Sequence, residues 1–370
     1  MNNVDRQTRP HSHQMCSICT FCQVGFDRER RPQKYLRHRE VLKNQLKETR
    51  GMKRALLLAL ASFMFVGAPT QAANYPDKPV RMIVGYPPGG ASDMVARLLA
   101  AELEKVNGTP FVVENRPGVG GMLSLSTLSR SPTDGYTLGL GVSGTLVTGP
   151  HLQKNQLYDP KSDFAPVAMV AKVPMVLLGG PALKQNSVEE LIAEAKANPQ
   201  GIIFASGAQA FELALQLLNH KAGVQITSAS YKGGAAASID VMAGRVPIMI
   251  DSVGAQLNNI KQGNLRALAV LDDARSPVLP DVATMQEAGV PGYDAVGWIA
   301  LLAPKGTPGA VVDKLSKQVN DIVQMPEFKT KLMALGFQPE SSTPEGLQKT
   351  IEADYAKWGE VVRTAGMKAE

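Results

Sequence analysis

The residues of this chain that could do chemistry fall in five short loops rich in Gly and hydroxyls. They are Tyr86-Pro-Pro88-Gly89-Gly90-Ala-Ser92-Asp93, Gly141-Val-Ser143-Gly144-Thr145, Ser206-Gly207-Ala-Gln209, Tyr231-Lys232-Gly233-Gly-Ala235 and Asp251-Ser252. At least four stand where a helix would open. The first N–H groups of a helix have no partner inside it, and the helix dipole there favours negative charge. Several such ends meeting in one cleft would hold a small molecule bearing a carboxylate, with Ser143, Thr145, Ser206 and Lys232 adding donors. Any one of these Gly pairs also serves an ordinary turn between strand and helix. Their recurrence at the same topological place favours a binding site.

Catalytic chemistries find little support. There is no Gly-x-x-x-x-Gly-Lys-Ser/Thr phosphate loop. Gly118-Val-Gly120-Gly121 resembles a dinucleotide loop, but Leu123 stands where the third Gly belongs, and Gly141-Val-Ser143-Gly144-Thr145 is not a Gly-x-Ser-x-Gly elbow. Beyond residue 73 the only histidines are His151 and His220, and there is no cysteine. Disulfides, zinc thiolates and cysteine nucleophiles are therefore excluded from that part, and neither a metal nor a cofactor is expected.

The elements that must position these loops alternate. Strands are predicted at 80–86, 110–116 and 136–142, with helices at 91–106, where Ser92 or Asp93 is a natural N-cap, and at 122–130. A long extended run, 165–180, is broken by Pro174. A second block follows, with helices at 187–198, 210–222, 234–243 and 252–262 and strands at 201–206, 225–230, 246–251 and 265–271. A strand over 292–304 and three helices near 308–324, 327–335 and 344–365 close the chain. Repeated βα units imply an α/β protein in which each lobe is a mostly parallel sheet flanked by helices. Ligands of such sheets bind beyond the carboxyl ends of the strands. The expected lobes are 73–175 with 297–370, and 176–296.

The chain has 370 residues, net charge +6, and 44% hydrophobic and 19% charged residues, as in a globular protein. A basic balance would raise nucleic acid as a partner, but its distribution removes that reading. Residues 1–51 contribute +6 and residues 52–73 another +2, leaving −2 for everything after. Residues 52–72 have the anatomy of a signal peptide: Met52-Lys53-Arg54, an apolar run from Ala55 to Val66, and Thr70-Gln71-Ala72 before the cut. With no Cys near the cut, lipid anchoring is not expected. With a signal peptide opening on its own Met52, residues 1–51 are expected to be a spurious or disordered leader. The leader holds Cys16, Cys19 and Cys22 with His11, His13 and His38 nearby, but its polar flanks lack the periodicity of a small zinc fold.

Several stretches match a known pattern in order and spacing. They include YPDKPVRMIVGYPPGGASDMVAR (75–97), VVENRPGVGG (112–121), SPTDGYTL (131–138), YDPKSDFAPVAMV (158–170), SYKGGAAA (230–237), a long run over 265–308 and YAKWGEVVRTAG (355–366). Over 75–367 the chain closely resembles the Bug family, the extracytoplasmic solute receptors of tripartite tricarboxylate transporters. That resemblance implies a two-lobed periplasmic binding protein fold, of Venus-flytrap type II-like form, that closes on a small carboxylate and delivers it to membrane permease subunits. It implies a periplasmic monomer without catalysis. It also places the ligand against Tyr86, Pro88, Gly89, Gly90 and Asp93, the loop Ser143-Gly144-Thr145, Ser206-Gly207 with Gln209, Lys232-Gly233, and Asp251. Where the family commonly carries Ser-Gly-x-Gly-Ser followed by His-Leu, this chain has Gln209 for a Gly, Ala210 for a Ser and Glu212 for the His. With one hydroxyl donor lost and a long amide added, a smaller or less charged ligand than citrate is expected. Two other classes compete: a receptor feeding a membrane sensor kinase, and a secreted Rossmann-like enzyme.

Overall fold

The computed structural model describes residues 75–367. The expected leader over 1–51 with its Cys/His cluster, and the signal peptide over 52–72, lie outside the described residues.

The first block is β1 (Val80–Val84), α1 (Ala91–Asn107), β2 (Phe111–Asn115), α2 (Met122–Ser129) and β3 (Thr137–Val142). β1 is apolar along most of its length and buried on both faces, as a central parallel strand must be. It pairs in parallel with β2 on one side and β3 on the other. α1 buries Val95, Leu99 and Leu103 along one stripe. It ends where Gly108, at φ +66, donates its N–H to the Glu104 carbonyl. After β3 comes a π-helical turn, Gly144–Thr148, running into a short α3 (Gly149–Leu152).

β4 (Phe164–Val173) and β5 (Met175–Gly179) are one extended run divided at Pro174. Lacking an N–H, Pro174 ends one ladder, and the chain leaves the first sheet for the second. There follow α4 (Val188–Ala197), β6 (Ile203–Ser206), α5 (Gln209–Ala222), β7 (Thr227–Ser230), α6 (Gly234–Met242), β8 (Ile248–Ser252), α7 (Val253–Lys261) and β9 (Arg266–Val270). β10 (Gly297–Pro304) returns to the first sheet, followed by α8 (Gly309–Gln324), α9 (Pro326–Ala334), β11 (Gln338–Pro339) and α10 (Pro344–Thr364).

Strand order is β11-β4-β10-β3-β1-β2 in one sheet and β7-β6-β8-β5-β9 in the other. The βα units supply the parallel pairs, β1 with β2 and β3, and β6 with β7 and β8. The strands that carry the chain out and back run antiparallel: β10 to β3 and β4, and β5 to β8 and β9. Each sheet is therefore mixed, because a strand entering from the other lobe runs against its neighbours. Residues 292–296, expected as the start of a strand, are irregular, and the ladder opens at Gly297.

One face of each sheet has its own cluster, around Leu99, Val167 and Val319 in the first and around Val176, Ala237 and Met249 in the second. A third and larger cluster is continuous between the two sheets and includes Met175, Leu213, Trp298 and Trp358. Backbone bonds from Val253 N–H to Pro174, Leu271 N–H to Met175 and Ala295 N–H to Leu271 bind the crossing segments together.

Candidate functional site

A cavity of about 320 Å3 lies between the sheets. The first sheet contributes Tyr86, Ala91 and Ser92 from beyond β1, and Val142, Ser143 and Gly144 from the end of β3. Because β1 and β3 are neighbours, these loops lie side by side. The second sheet contributes Ala210, Phe211 and Leu213 of α5 and Ser252 at the end of β8. The floor comes from the crossing segments, with Val173, Met175 and Ala295 to Ile299, and is completed by Phe337 and Trp358.

The polar rim follows from local structure. α1 starts at Ala91 with Gly90 as N-cap and no side-chain cap, not with Ser92 or Asp93 in that role. Asp93 reaches back from the first turn and accepts from Gly89 N–H at 2.9 Å. The Ser92 hydroxyl thus has no capping role, and the first turn of α1, whose N–H groups lack a side-chain cap, borders the cavity at Ala91 and Ser92. Asp93 itself is buried. It also accepts from Arg97 Nε at 2.9 Å and Asn115 Nδ2 at 2.8 Å. Burial alone would raise its pKa, but these donors and the Arg97 charge outweigh it and bring the carboxyl down to about 2. Asp93 is an organiser of the loop behind the cavity.

Burial raises the Tyr86 phenol above its ordinary value, so at neutral pH it is a neutral donor. Its OH donates to Gly120 O at 3.3 Å. Gly121, at φ +96, lies beneath that ring, and a Cβ there would come within 3.1 Å of it. Ser143 Oγ accepts from Trp298 N–H at 3.3 Å, tying the β3 loop to the returning strand. The Thr145 hydroxyl is spent on the Val142 carbonyl at 2.9 Å, within its own turn.

In the second sheet, Ser206-Gly207, Gly233 and Asp251 come together at the carboxyl ends of β6, β7 and β8. The approach is close enough to require Gly: a Cβ on Gly207 would lie 2.6 Å from Gly234 Cα, and one on Gly234 would lie 2.8 Å from Asp251 Oδ2. Asp251 accepts from Ser252 N–H and Gln256 Nε2, both at 2.7 Å. Burial raises its pKa against those bonds. This cluster supports Ser252 from behind.

Of the residues singled out from sequence, Tyr86, Ser143 and Gly144 line the cavity. Pro88, Gly89, Gly90 and Asp93 shape the turn into α1, while Thr145, Ser206, Gly207, Gly233 and Asp251 form the layer behind the lining. Gln209 and Lys232 are exposed and outside the lining. Gln209 was expected to narrow the pocket, but α5 begins at that residue, and Ala210 and Phe211 face the cavity instead. The sequence reading missed Phe211, Trp298, Phe337 and Trp358. Their only signal is an aromatic side chain, which core packing explains equally well.

Two networks brace the floor. Trp298 Nε1 donates to Asp354 Oδ2 at 2.8 Å, and Lys357 Nζ joins Asp354 at 2.8 Å to Asp294 at 3.1 Å. Lys172, just before the first crossing, pairs with Asp272 at 3.2 Å and Asp273 at 3.1 Å, just after β9. Burial pushes Asp272 up to about 6, Asp273 adding to this and Lys172 opposing it. Among the described residues no group of His, Cys, Asp and Glu is arranged to hold a metal ion. No helix among them is long and apolar enough to cross a membrane.

Comparison with known proteins agrees with this geometry. Residues 95–367 match the family described as "Tripartite tricarboxylate transporter family receptor". Protein BugT of Bordetella pertussis is 39% identical over 307 residues, covering 82% of this chain and 94% of that protein. An R. palustris protein solved with adipate is 35% identical with a TM-score of 0.67, over 80% of this chain and all of the other. The periplasmic binding protein BugD is 34% identical with a TM-score of 0.64, again over 80% of this chain and all of the other.

Proposed function

The chain belongs to the tripartite tricarboxylate transporter receptor family, and we propose that it captures a small carboxylate in the cavity between its two sheets. The observation that carries this reading is the amino end of α1. It opens on the cavity without a side-chain cap, beside Ser92, Ser143 and the neutral Tyr86 phenol. A carboxylate seated there would accept from the free N–H groups of Ala91 and Ser92 and from the Ser92 and Ser143 hydroxyls, at the positive end of a 17-residue helix, with the Tyr86 phenol held alongside by its bond to Gly120 O. Pro88, Gly89, Gly90 and Asp93 set the loop, Thr145 fixes the neighbouring turn after β3, and Ser206, Gly207, Gly233 and Asp251 hold the opposing layer. Gln209 and Lys232 act only as outer groups.

The chain would be exported through the segment 52–72, work in the periplasm as a monomer, and deliver its solute to membrane permease subunits without catalysis. Rotation of the lobes 73–175 with 297–370 against 176–296 would enclose the ligand. Mass spectrometry of small molecules released from the purified chain, with a thermal-shift screen of mono-, di- and tricarboxylates, tests this. A ligand at 100 times its Kd should stabilise the protein by about 2.7 kcal/mol. If nothing is released and no carboxylate shifts the melting curve, the reading fails.

A further inference from the structure

The two ends of the cavity differ in electrical character. α1 and α5 both begin on it, and neither Gly90 nor Ala208, their N-cap residues, supplies a side-chain cap. Each helix carries one acid in its first turn, Asp93 and Glu212. Asp93 is compensated by Arg97, Asn115 and the Gly89 N–H. Glu212 is not. Its Oε1 accepts from Gln216 Nε2 at 2.9 Å, and its Oε2 is buried without any hydrogen-bond partner. A carboxylate approaching α1 meets donors whose neighbouring acid is already neutralised. One approaching α5 meets donors beside an acid that no cation offsets, and like charges brought together in a partly dry site repel strongly.

The remaining lining completes the contrast. Beyond the serines, Tyr86 and Thr148, whose hydroxyl donates to Gly144 O, it consists of apolar groups, among them Met175, Phe211, Trp298 and Trp358, and no lining residue is charged. The cations behind the wall are already engaged, Lys357 by Asp294 and Asp354, and Lys172 by Asp272 and Asp273. Neutralising a second buried carboxylate would require breaking one of these pairs. At about 320 Å3 the cavity is near the lower end of small-molecule sites, roughly 300–1,000 Å3.

Building on the carboxylate-receptor reading, we propose that the site selects a monocarboxylate with an apolar body, aromatic or branched. Its carboxylate sits on α1 and its body lies against Phe211 and Trp298, while Glu212 excludes a second carboxylate. Phe211 and Glu212 are thus the specificity-determining residues at the α5 end.

Isothermal titration of the full chain with phenylacetate, isovalerate, adipate and phenylalanine tests this. Phenylacetate or isovalerate should bind at least about tenfold more tightly than adipate, the effect of burying a few methylene equivalents in place of a charge. Glu212→Gln should shift the monocarboxylate-to-adipate ratio toward adipate by about fivefold or more. Phe211→Ala should shift the same ratio toward adipate by about tenfold, and Phe211→Leu should restore much of the loss. A melting curve for each variant establishes that it is folded. Tighter binding of adipate or phenylalanine than of both monocarboxylates overturns the inference while leaving the receptor reading intact. So does a ratio that Glu212→Gln does not move. If none of these four binds, the inference fails, and the receptor reading stands or falls on the released-ligand and thermal-shift measurements.

Discussion

Asp93→Asn removes one charge and keeps the shape of the side chain, so it isolates what the carboxylate does for the loop that leads into α1. Asp93 Oδ2 accepts from Gly89 N–H and Arg97 Nε, and Oδ1 accepts from Asn115 Nδ2. An amide must turn its NH2 toward one of those sets of donors. Asn115 cannot flip to accommodate it, because its own Nδ2 also donates to Tyr86 O at 2.9 Å and its Oδ1 accepts from Arg97 Nη2 at 3.2 Å. The carboxyl is held at about 2 against an ordinary 3.8. At about 1.4 kcal/mol per pH unit, and discounting for the solvent that screens the half-exposed Arg97, that is about 2 kcal/mol of stability. Because the folded-state value is the lower one, this contribution is fully present above about pH 4 and fades as the pH falls toward 2. Urea denaturation of both proteins from pH 7 to pH 3 should show a gap of about 2 kcal/mol at neutrality that narrows with acid. Ligand affinity should fall with it, since the turn that presents the α1 N–H groups loosens. A gap below about 0.5 kcal/mol, the scatter of ordinary surface changes, or one that does not vary with pH, would refute this account of the loop.

Other substitutions probe the remaining supports. Gly207→Ala places a methyl 2.6 Å from Gly234 Cα and should cost about 1–3 kcal/mol in denaturant titrations. Tyr86→Phe removes the bond to Gly120 O that fixes this ring at the polar rim and should weaken the tightest-binding carboxylate by about tenfold or less in isothermal titration. Lys172→Met strips Asp272 and Asp273 of their cation. Asp272 is held up to about 6, so folding takes up a proton and stability falls as pH rises from about 4 to 6. In the variant that fall should become larger and extend to higher pH, as read from melting temperature against pH. Trp298→Phe orphans one acceptor of Asp354 and should cost about 1–3 kcal/mol, measured by urea titration.

Legibility from sequence was uneven for physical reasons. The terminal helices expected near 308–324, 327–335 and 344–365 occur at Gly309–Gln324, Pro326–Ala334 and Pro344–Thr364. Their apolar spacing is helical, and Pro326 and Pro344 sit in first turns, where proline suits a helix. The π turn after β3 left no such trace, because Gly144–Thr148 is too short to carry a period. The cap of α1 was misplaced on Ser92 or Asp93, since composition cannot tell a cap from an acid reaching back out of the first turn. The Gly-rich loops could be found because close backbone approach leaves Gly little alternative, as at Gly207 and Gly234. The aromatic floor could not. Phe211, Trp298, Phe337 and Trp358 are far apart in the chain, and a side chain facing a cavity has the same apolar signature as one facing the core.

The segments around Pro174 and Ala295 have a mechanical consequence. Any turning of one sheet relative to the other must pivot where the chain crosses, and the crossings carry Val173, Met175 and Ala295 to Ile299 of the cavity floor. Residues on a pivot travel least. In the proposed rotation the floor would be a stationary anvil, and the ends of α1 and α5 the jaws that move. The apolar body of a solute could settle on a surface already in its final form, so little ordering cost falls on that half of the contact. The free energy that would hold the jaws together then comes from the polar groups at the tip of α1 and the apolar contact of Phe211 at the tip of α5.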